Sequence, residues 1–354
     1  MLALVDKNRP KYCWAWNRIY VKSNGRIPCW CDSGEKHTII HKSLENNDFI
    51  NDIVNSEEMC RMRTKILRYS MNYIKECNRC CCMINHNRGE HFRFISNNDQ
   101  KIDNKIKNAL KILDNNIAKG MKDGVIDHIK EIQIEPSLPC NLKCPGCMQS
   151  KVKNILDTEQ KPYILPLDWF KRIILSCIHN QVKVDKIAFV GRGEPTLSNQ
   201  LSDMIKYCKE KTDINMSMDT NCTQNFNDNY TMLHNINCSI DGATNQSYDK
   251  YRIGGNFEKT IDFMKKCVAS KISHNRTCNI VWKYILFNTN DSYQEMNLAQ
   301  HIANQIGIDE LRFVITNFAG GNVQPSCNFT TIDSVQQYLQ NNKIFDNSTI
   351  NYAT

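Results

Sequence analysis

Three cysteines crowd into one short stretch of the chain, Cys140, Cys144 and Cys147, in a C-x3-C-x2-C run after an apolar segment. Cysteine thiolates are the usual ligands of [4Fe–4S] clusters, and three of them this close together can bind three irons of one cube. The fourth iron is then left open, which is typical of a reaction centre. The alternatives are buried structural thiols or a zinc site, although zinc favours separated C-x2-C pairs.

At this run the chain resembles the radical SAM superfamily, whose members use the same spacing to bind a [4Fe–4S] cluster that S-adenosylmethionine (SAM) chelates at the open iron. The resemblance implies an enzyme. It also implies that an electron donor such as flavodoxin or ferredoxin reduces the cluster and that SAM splits into methionine and a 5′-deoxyadenosyl radical. By the same resemblance, that radical is expected to abstract a hydrogen atom from the substrate.

A second motif is Gly191-Arg192-Gly193-Glu194-Pro195, at the end of an apolar strand. Two glycines let the backbone approach a ligand closely, and Glu194 can accept hydrogen bonds from an ammonium group. Alone, the segment is equally compatible with a tight turn. Downstream of the cysteine run it resembles the GGEP motif that holds the amino group of SAM, so Gly191, Gly193 and Glu194 are expected to bind SAM.

Three further segments follow the family pattern. The segment from Ser217 to Asn221 lies at the end of a predicted strand and resembles a Thr-Asn-Gly segment of the family. By resemblance, Ser239 contacts the SAM ribose and Arg252 binds the SAM carboxylate, which a guanidinium can clamp through two hydrogen bonds. Asp241 is equally compatible with a role in ligand binding and with a turn that caps the next helix. Lys283 faces either the active site or the solvent.

The first ninety residues form a second cysteine-rich region. Asn24-Gly25 lies between two β-prone segments and predicts a hairpin that returns a thiol beside Cys13. A helix from about residue 49 to residue 73 then leads to a C-x2-C pair. Four thiolates suit either zinc or a fully ligated [4Fe–4S] cluster. The expected ligands are Cys13, Cys29, Cys77 and Cys80, with Cys31, Cys81 or Cys82 as substitutes.

This region resembles the SPASM or twitch auxiliary domain of radical SAM enzymes, which implies a second [4Fe–4S] cluster. Two departures stand out. The auxiliary domain normally follows the core, whereas here it precedes it, and the spacing from Gly25 to Cys29 is one residue shorter than the common pattern. A zinc ribbon is the alternative.

Strands and helices alternate from about residue 130 onwards, which predicts parallel β-α units and an α/β fold. The alternation also permits a doubly wound sheet; the resemblance implies a partial (β/α)6 TIM-like barrel, with its site at the carboxyl ends of the strands. The expected domains are an auxiliary domain (1–95), a helical connector (96–129), the core (130–325) and a tail (326–354).

The chain has 354 residues, a formal charge of +8 spread along its length, and 18 cysteines. It shows no block of like charges and no apolar run long enough to span a membrane, so we expect neither a nucleic-acid nor a membrane partner. The absence of a signal-like N-terminus predicts a cytoplasmic protein, in which thiols stay reduced.

The substrate is expected to be a carbohydrate or a similar small molecule, oxidised or epimerised, because no spare segment matches a leader-binding domain. A ribosomally made peptide that is epimerised or cross-linked is the alternative. Cys327, in the loop after the last predicted strand, is the expected hydrogen donor of an epimerisation, although most loop thiols have no such role. A zinc-bearing nucleic-acid-binding module or a scaffold would leave the open three-cysteine site unexplained.

Overall fold

The computed structural model describes residues 18–28, 42–69, 123–151, 161–317 and 319–352. Within these ranges the strands are β1 (Arg18–Val21), β2 (Arg26–Ile27), β3 (Lys42–Ser43), β4 (His128–Ile129), β5 (Glu131–Ile134), β6 (Lys183–Val184), β7 (Lys186–Phe189), β8 (Asn215–Thr220), β9 (Asn235–Ser239), β10 (Asn279–Leu286), β11 (Glu310–Ile315) and β12 (Ser348–Tyr352). The α-helices are α1 (Glu57–Tyr69), α2 (Met148–Lys151), α3 (Leu167–His179), α4 (Leu201–Lys211), α5 (Asn245–Tyr251), α6 (Phe257–Ser273), α7 (Tyr293–Ile306) and α8 (Ile332–Asn341).

The described residues divide into two units. The first holds residues 18–21, 25–28, 42–69, 123–133 and 168–186, and the second holds residues 22–24, 134–151, 161–167, 187–317 and 319–352. No helix in the described ranges is both long and apolar enough to cross a membrane.

In the first unit, the prediction of a hairpin around Asn24-Gly25 is wrong. β1 lies beside β5 in one sheet, whereas β2 pairs antiparallel with β3 in a separate two-stranded sheet. Gly25 has the positive φ of 72° that the Asn-Gly signal requires, so the turn forms but the two flanking strands do not pair with each other. A π-helical turn over Phe49–Val54 precedes α1, and the Ser176 hydroxyl of α3 accepts a hydrogen bond from the Ile50 N–H at 3.0 Å.

The second unit has the α/β fold that the sequence predicts. β8, β9, β10, β11 and β12 lie side by side in chain order, and every neighbouring pair is parallel. Each connection between these strands carries helical segments, as parallel pairing requires. Strand ends that carry the predicted motifs therefore meet at one edge of the sheet.

Side chains on one face of the sheet form the core of the second unit. Trp282, Tyr284 and Phe313 are fully buried, with ring centroids 6.0 Å apart for the first pair and 5.5 Å apart for the second. The Trp282 indole N–H donates to the Ile240 carbonyl at 2.8 Å, so its one polar atom is satisfied. This packing fixes the register of β10 between β9 and β11.

β12 is a strand that the sequence did not predict, since the tail showed only a helical pattern. Its position depends on Gln300, a fully buried residue of α7. The Gln300 amide donates to the Tyr338 hydroxyl and the Asn342 carbonyl, both at 3.0 Å. Its oxygen accepts from the N–H groups of Ile344 and Phe345 at 3.0 and 3.2 Å.

Replacing Gln300 with leucine is expected to lower the free energy of unfolding by about 3 kcal/mol, because several buried polar groups lose their partners at once. Urea unfolding followed by circular dichroism measures the change. Gln305→Leu is the matched control, since Gln305 is exposed on the same helix. Equal midpoints for the two variants would contradict the role of Gln300.

Candidate functional site

Cys140, Cys144 and Cys147 lie on the loop that joins β5 to α2. Cys144 is buried and the other two are partly exposed. The Cys147 N–H donates to the Cys144 carbonyl at 3.0 Å, and the Lys143 N–H donates to the Ile253 carbonyl at 2.9 Å. These backbone bonds hold the three thiols on one short loop and tie that loop to the segment after α5.

The three thiols form one set of donor atoms on the loop. The three cysteines interact electrostatically with one another. Yet no three His, Cys, Asp or Glu side chains of the described ranges stand close enough together to hold one ion. Cysteine sulfur atoms are the usual donors to a [4Fe–4S] cluster, and three of them leave one of its four irons without a protein ligand. The donor set therefore fits such a cluster by its chemistry.

Two N–H donors point towards these sulfur atoms. The Asn221 side-chain amide lies 3.9 Å from the Cys140 sulfur, and Arg252 Nη1 lies 4.0 Å from the Cys144 sulfur. Burial raises the pKa of Cys140, and it raises the pKa of Cys144 to about 11. These thiols therefore carry their protons at neutral pH, and the nearby N–H groups would stabilise the thiolates that a bound cluster requires.

Gly193 brings the second motif against the cysteine loop. An added Cβ at this position would overlap the backbone carbonyls of Ser137 and Leu138. The Glu194 N–H donates to the Pro139 carbonyl at 2.9 Å. The contact therefore requires glycine for its lack of a side chain, and it places Glu194 beside the residues that precede Cys140.

Glu194 is buried, and its carboxylate accepts four hydrogen bonds from the chain. One oxygen accepts from the Thr196 N–H at 3.1 Å, the Thr196 hydroxyl at 2.5 Å and the Thr220 hydroxyl at 2.6 Å; the other accepts from the Asn221 N–H at 2.8 Å. Burial raises the pKa of Glu194, and the hydrogen bonds act in the opposite direction. Glu194 thus also positions Asn221, the neighbour of Cys140.

Glu135 is a site residue that the sequence reasoning missed. Its side chain has no exposed surface, and its Oε2 accepts from the Arg192 N–H at 2.8 Å and lies 3.5 Å from Arg192 Nε. The side chain also fills the space at Gly191, where an added Cβ would lie 2.5 Å from it. The available signal was an acidic residue at the end of a strand, directly before the cysteine run.

Arg252 is paired with Asp241 at the end of β9. Arg252 Nε donates to Asp241 Oδ2 at 2.6 Å, and Asp241 Oδ1 accepts from the Ile285 N–H at 2.7 Å. Burial alone would lower the pKa of Arg252, but the Asp241 carboxylate, Cys144 and Tyr251 raise it above its ordinary value. Asp241 therefore has a defined partner, and it aims the guanidinium at the cysteine loop.

Tyr251 occupies the space beside the glycine of the cysteine loop. An added Cβ at Gly146 would lie 2.8 Å from the Tyr251 hydroxyl oxygen. The Tyr251 ring packs on Phe287 with centroids 4.2 Å apart, and the Arg252 guanidinium lies 5.7 Å from the Tyr251 ring centroid. Three segments of the second unit thus converge on the loop that carries the thiols.

The comparison with protein families matches one part of the chain. Residues 134–291, fewer than half of the 354 residues, match the model described as Radical SAM superfamily. This part of the chain is similar to a radical SAM domain. The match includes the cysteine run, the Gly191–Pro195 motif and Arg252. The superfamily consists of enzymes that hold a [4Fe–4S] cluster and SAM.

Solved structures of radical SAM proteins are similar to the chain. SuiB of Streptococcus suis, bound to S-adenosylmethionine, is 18% identical with a TM-score of 0.49, over 72% of this chain and 57% of SuiB. A radical SAM methyltransferase from Sphaerobacter thermophilus is 12% identical with a TM-score of 0.44, over 62% of this chain and 65% of that protein. Sequence identities and TM-scores at this level carry no information about the substrate.

One curated protein is also similar in sequence. The chain is 24% identical over 219 residues to the GTPase Obg of Brachyspira hyodysenteriae, which covers 60% of this chain and 31% of that protein. The chain thus spans about a third of the length of this relative. The 354-residue chain itself contains no G-x4-G-K-S/T sequence, the motif whose loop binds nucleotide phosphates.

Ser217 and Ser239, the two serines predicted to bind SAM, are strand residues of the second unit. Ser239 ends β9 and is half-buried, two residues before Asp241. Ser217 is buried in β8, four residues before Asn221, which is about 13 Å along a strand. Their contacts with SAM stay predictions. The predicted auxiliary-cluster ligands Cys13, Cys29, Cys77 and Cys80, and their substitutes Cys31, Cys81 and Cys82, lie outside the described residues.

Cys327 is exposed, on the loop that follows β11. Its N–H donates at 3.0 Å to Asp291 Oδ2, which also accepts from the Ser326 hydroxyl at 2.7 Å. Within the same loop, an added Cβ at Gly320 would overlap the Pro145 carbonyl, between Cys144 and Cys147. The loop therefore reaches the cysteine run, and the role of Cys327 as a hydrogen donor stays a prediction.

Replacing Gly193 with alanine is expected to lower the iron content of the reconstituted protein and its stability by about 2 kcal/mol, because the methyl group overlaps backbone carbonyls that precede Cys140. Iron analysis and urea unfolding measure the two effects. Gly307→Ala is the control: Gly307 has a positive φ of 76° but no atom near its Cβ position. It should lose stability and keep its iron. Unchanged iron in Gly193→Ala would contradict this contact.

Proposed function

We propose that the protein is a radical SAM enzyme that cleaves SAM reductively and uses the 5′-deoxyadenosyl group to abstract a substrate hydrogen atom. The observation that supports this most strongly is the convergence of three loop thiols with Asn221, Glu194 and the Asp241–Arg252 pair. When bound, the [4Fe–4S] cluster supplies the electron for SAM cleavage. A partial (β/α)6 barrel is the architecture proposed to enclose the site.

The chain's own residues have distinct roles in this proposal. Cys140, Cys144 and Cys147 ligate three irons, and the N–H groups of Asn221 and Arg252 stabilise their sulfur atoms. A guanidinium has five N–H donors, and Arg252 directs Nε to Asp241 and Nη1 to Cys144, so further donors can bind the SAM carboxylate as well. The Glu194 carboxylate accepts a hydrogen bond from the Asn221 backbone N–H at 2.8 Å and so holds Asn221 in place. The same carboxylate can accept hydrogen bonds from the ammonium group of SAM.

The net reaction that we propose is an oxidation or an epimerisation. In an oxidation, Cys13, Cys29, Cys77 and Cys80 would hold an auxiliary cluster, which would supply an acceptor for the second electron. In an epimerisation, the Cys327 thiol returns a hydrogen atom to the opposite face of the substrate radical. The electron donor is a flavodoxin or a ferredoxin, and the enzyme acts in the cytoplasm.

Anaerobic reconstitution followed by addition of dithionite and SAM tests this function. Wild-type protein is expected to release 5′-deoxyadenosine and methionine in equal amounts, detected by liquid chromatography and mass spectrometry. Cys144→Ala is expected to release neither. A wild-type preparation that has bound its full complement of iron and sulfide yet releases no 5′-deoxyadenosine would refute the proposal, and zinc in place of iron would favour a structural site.

A further inference from the structure

A closed ring of hydrogen bonds joins the cysteine loop to the turn that follows β8. Asn221 Nδ2 donates to Asn141 Oδ1 at 3.0 Å, and Asn141 Nδ2 donates to Thr223 Oγ1 at 2.8 Å. The Thr223 hydroxyl donates in turn to Asn221 Oδ1 at 2.6 Å, which closes the ring. Asn141 is the residue that directly follows Cys140. We call the side chains of Asn141, Asn221 and Thr223 the hydrogen-bond ring.

The hydrogen-bond ring fixes which end of the Asn221 amide faces which neighbour. Asn221 Oδ1 accepts from the Thr223 backbone N–H at 3.0 Å as well as from the Thr223 hydroxyl. If the amide were turned over, its NH2 group would face that backbone N–H, and two donors would oppose each other. The amide oxygen therefore points towards Thr223, and the amide nitrogen points towards the cysteine loop.

The amide nitrogen of Asn221 carries two hydrogens, and the hydrogen-bond ring uses one of them. That hydrogen is donated to Asn141 Oδ1 at 3.0 Å. The same nitrogen lies 3.9 Å from the Cys140 sulfur, so its second hydrogen is the one available to that sulfur. Two adjacent residues of the cysteine loop, Cys140 and Asn141, are thus partners of one amide group.

The backbone of the turn holds Asn221 as firmly as the ring holds its side chain. Cys222 has a positive φ of 61°, which is uncommon for a residue with a side chain, and it is fully buried. Its N–H donates to Thr220 Oγ1 at 3.1 Å, and the Asn221 N–H donates to Glu194 Oε2 at 2.8 Å. Such a backbone conformation persists only where the surrounding structure fixes it. Asn221 is therefore held at its backbone and at both ends of its amide.

An N–H group held against a ligand sulfur has a defined effect on an iron–sulfur cluster. Hydrogen bonds to the sulfur atoms are among the factors that set the reduction potential of such a cluster. Reduction adds negative charge, and a hydrogen bond to a charged acceptor is stronger than one to a neutral acceptor. The N–H therefore stabilises the reduced form more than the oxidised form, and the potential becomes more positive.

We propose that Asn141 and Thr223 are positioning residues, which hold the Asn221 amide against the Cys140 sulfur and so raise the reduction potential of the cluster at the cysteine loop. The inference rests on the proposed function, because it requires a cluster that Cys140 ligates. Thr223 is half-buried and reaches the loop only through the ring, so its effect on the cluster passes through Asn221. Neither Asn141 nor Thr223 is among the residues expected to bind SAM.

A redox titration of the reconstituted protein, followed by electron paramagnetic resonance, tests this role. The relevant signal is the one that disappears when the three cysteines of the loop are replaced together with alanine. Thr223→Val keeps the shape of the side chain and removes its hydroxyl, so the potential is expected to shift to a more negative value. Asn221→Ala removes the N–H donor itself and should shift the potential further in the same direction. Thr223→Ser restores the hydroxyl and should restore the wild-type potential.

Thr212→Val is the matched control, because Thr212 is also a half-buried threonine of the second unit. Its hydroxyl donates to the Cys208 carbonyl at 2.9 Å and accepts from the Ile214 N–H at 3.3 Å, at the end of α4. This variant loses as many hydrogen bonds of the hydroxyl as Thr223→Val, yet its potential should equal that of the wild type. The double variant Asn221→Ala/Thr223→Val should have the potential of Asn221→Ala alone, since Thr223 acts through Asn221.

Thr223→Ala repeats the test without a branched side chain, and the potential is a property of each cluster that does not depend on the fraction of protein that is loaded. A wild-type potential in both Thr223→Val and Thr223→Ala, a shift to a more positive value, or additive shifts in the double variant would each overturn the proposal. Release of 5′-deoxyadenosine is measured on the same preparations. Cleavage of SAM with unshifted potentials refutes this inference alone, whereas shifted potentials without SAM cleavage support the hydrogen-bond ring and refute the radical SAM activity.

Discussion

Replacing Cys140, Cys144 and Cys147 together with alanine is expected to abolish SAM cleavage and to remove about four irons per chain after anaerobic reconstitution. Each thiol binds a different iron, so the cube loses all of its protein ligands. If the proposed auxiliary cluster is present, the wild type binds about eight irons and the variant keeps about four. Iron and sulfide analysis, together with the absorbance of the cluster, measures the change.

Cys208→Ala is the matched control, since Cys208 is a buried thiol of α4 with no role in the proposed site. Its iron content should equal that of the wild type. A triple alanine variant that retains the wild-type iron content would show that these cysteines are not ligands. A variant that retains no iron, in a wild type with about four, would show that the protein holds one cluster only.

The regular elements of the second unit could be predicted from the sequence because their side chains repeat with the period of a helix or a strand. The alternation of strands and helices that the sequence predicts from about residue 130 onwards is present in the structure from β5 to β11. Periodicity is a local property of the chain. The separate partners of β1 and β2, and the strand β12, depend on contacts between distant segments, so the local pattern did not reveal them.

The same distinction applies to the site. The cysteine run, Glu194 and Arg252 are recognisable because their spacing belongs to a known motif. Glu135 and the partner of Arg252 were not assigned, since both depend on which strand ends meet. The ion pair between Lys283 and Asp219 shows this most clearly. Lys283 and Asp219 are far apart in sequence, and only the parallel register brings them within 3.5 Å of each other.

Replacing Asp241 with asparagine is expected to lower the free energy of unfolding by about 3 kcal/mol, because it leaves the Arg252 guanidinium without its counter-charge in a buried site. The Asp241 side chain has no exposed surface, and both of its oxygens accept hydrogen bonds, from Arg252 and from the Ile285 N–H. Asparagine has one acceptor oxygen, so one of these two bonds is lost as well. Urea unfolding of the protein measures the difference.

Asp262→Asn is the matched control for this substitution. Asp262 forms an exposed pair with Lys266 at 2.7 Å, and loss of such a surface pair changes stability by less than about 1 kcal/mol. The double variant Asp241→Asn/Arg252→Met removes the uncompensated charge and should recover part of the loss. If the double variant is no more stable than Asp241→Asn, the cost arises from the lost backbone bond to Ile285 and not from the charge. If Asp241→Asn is as stable as Asp262→Asn, the pair does not hold the guanidinium beside the cysteine loop.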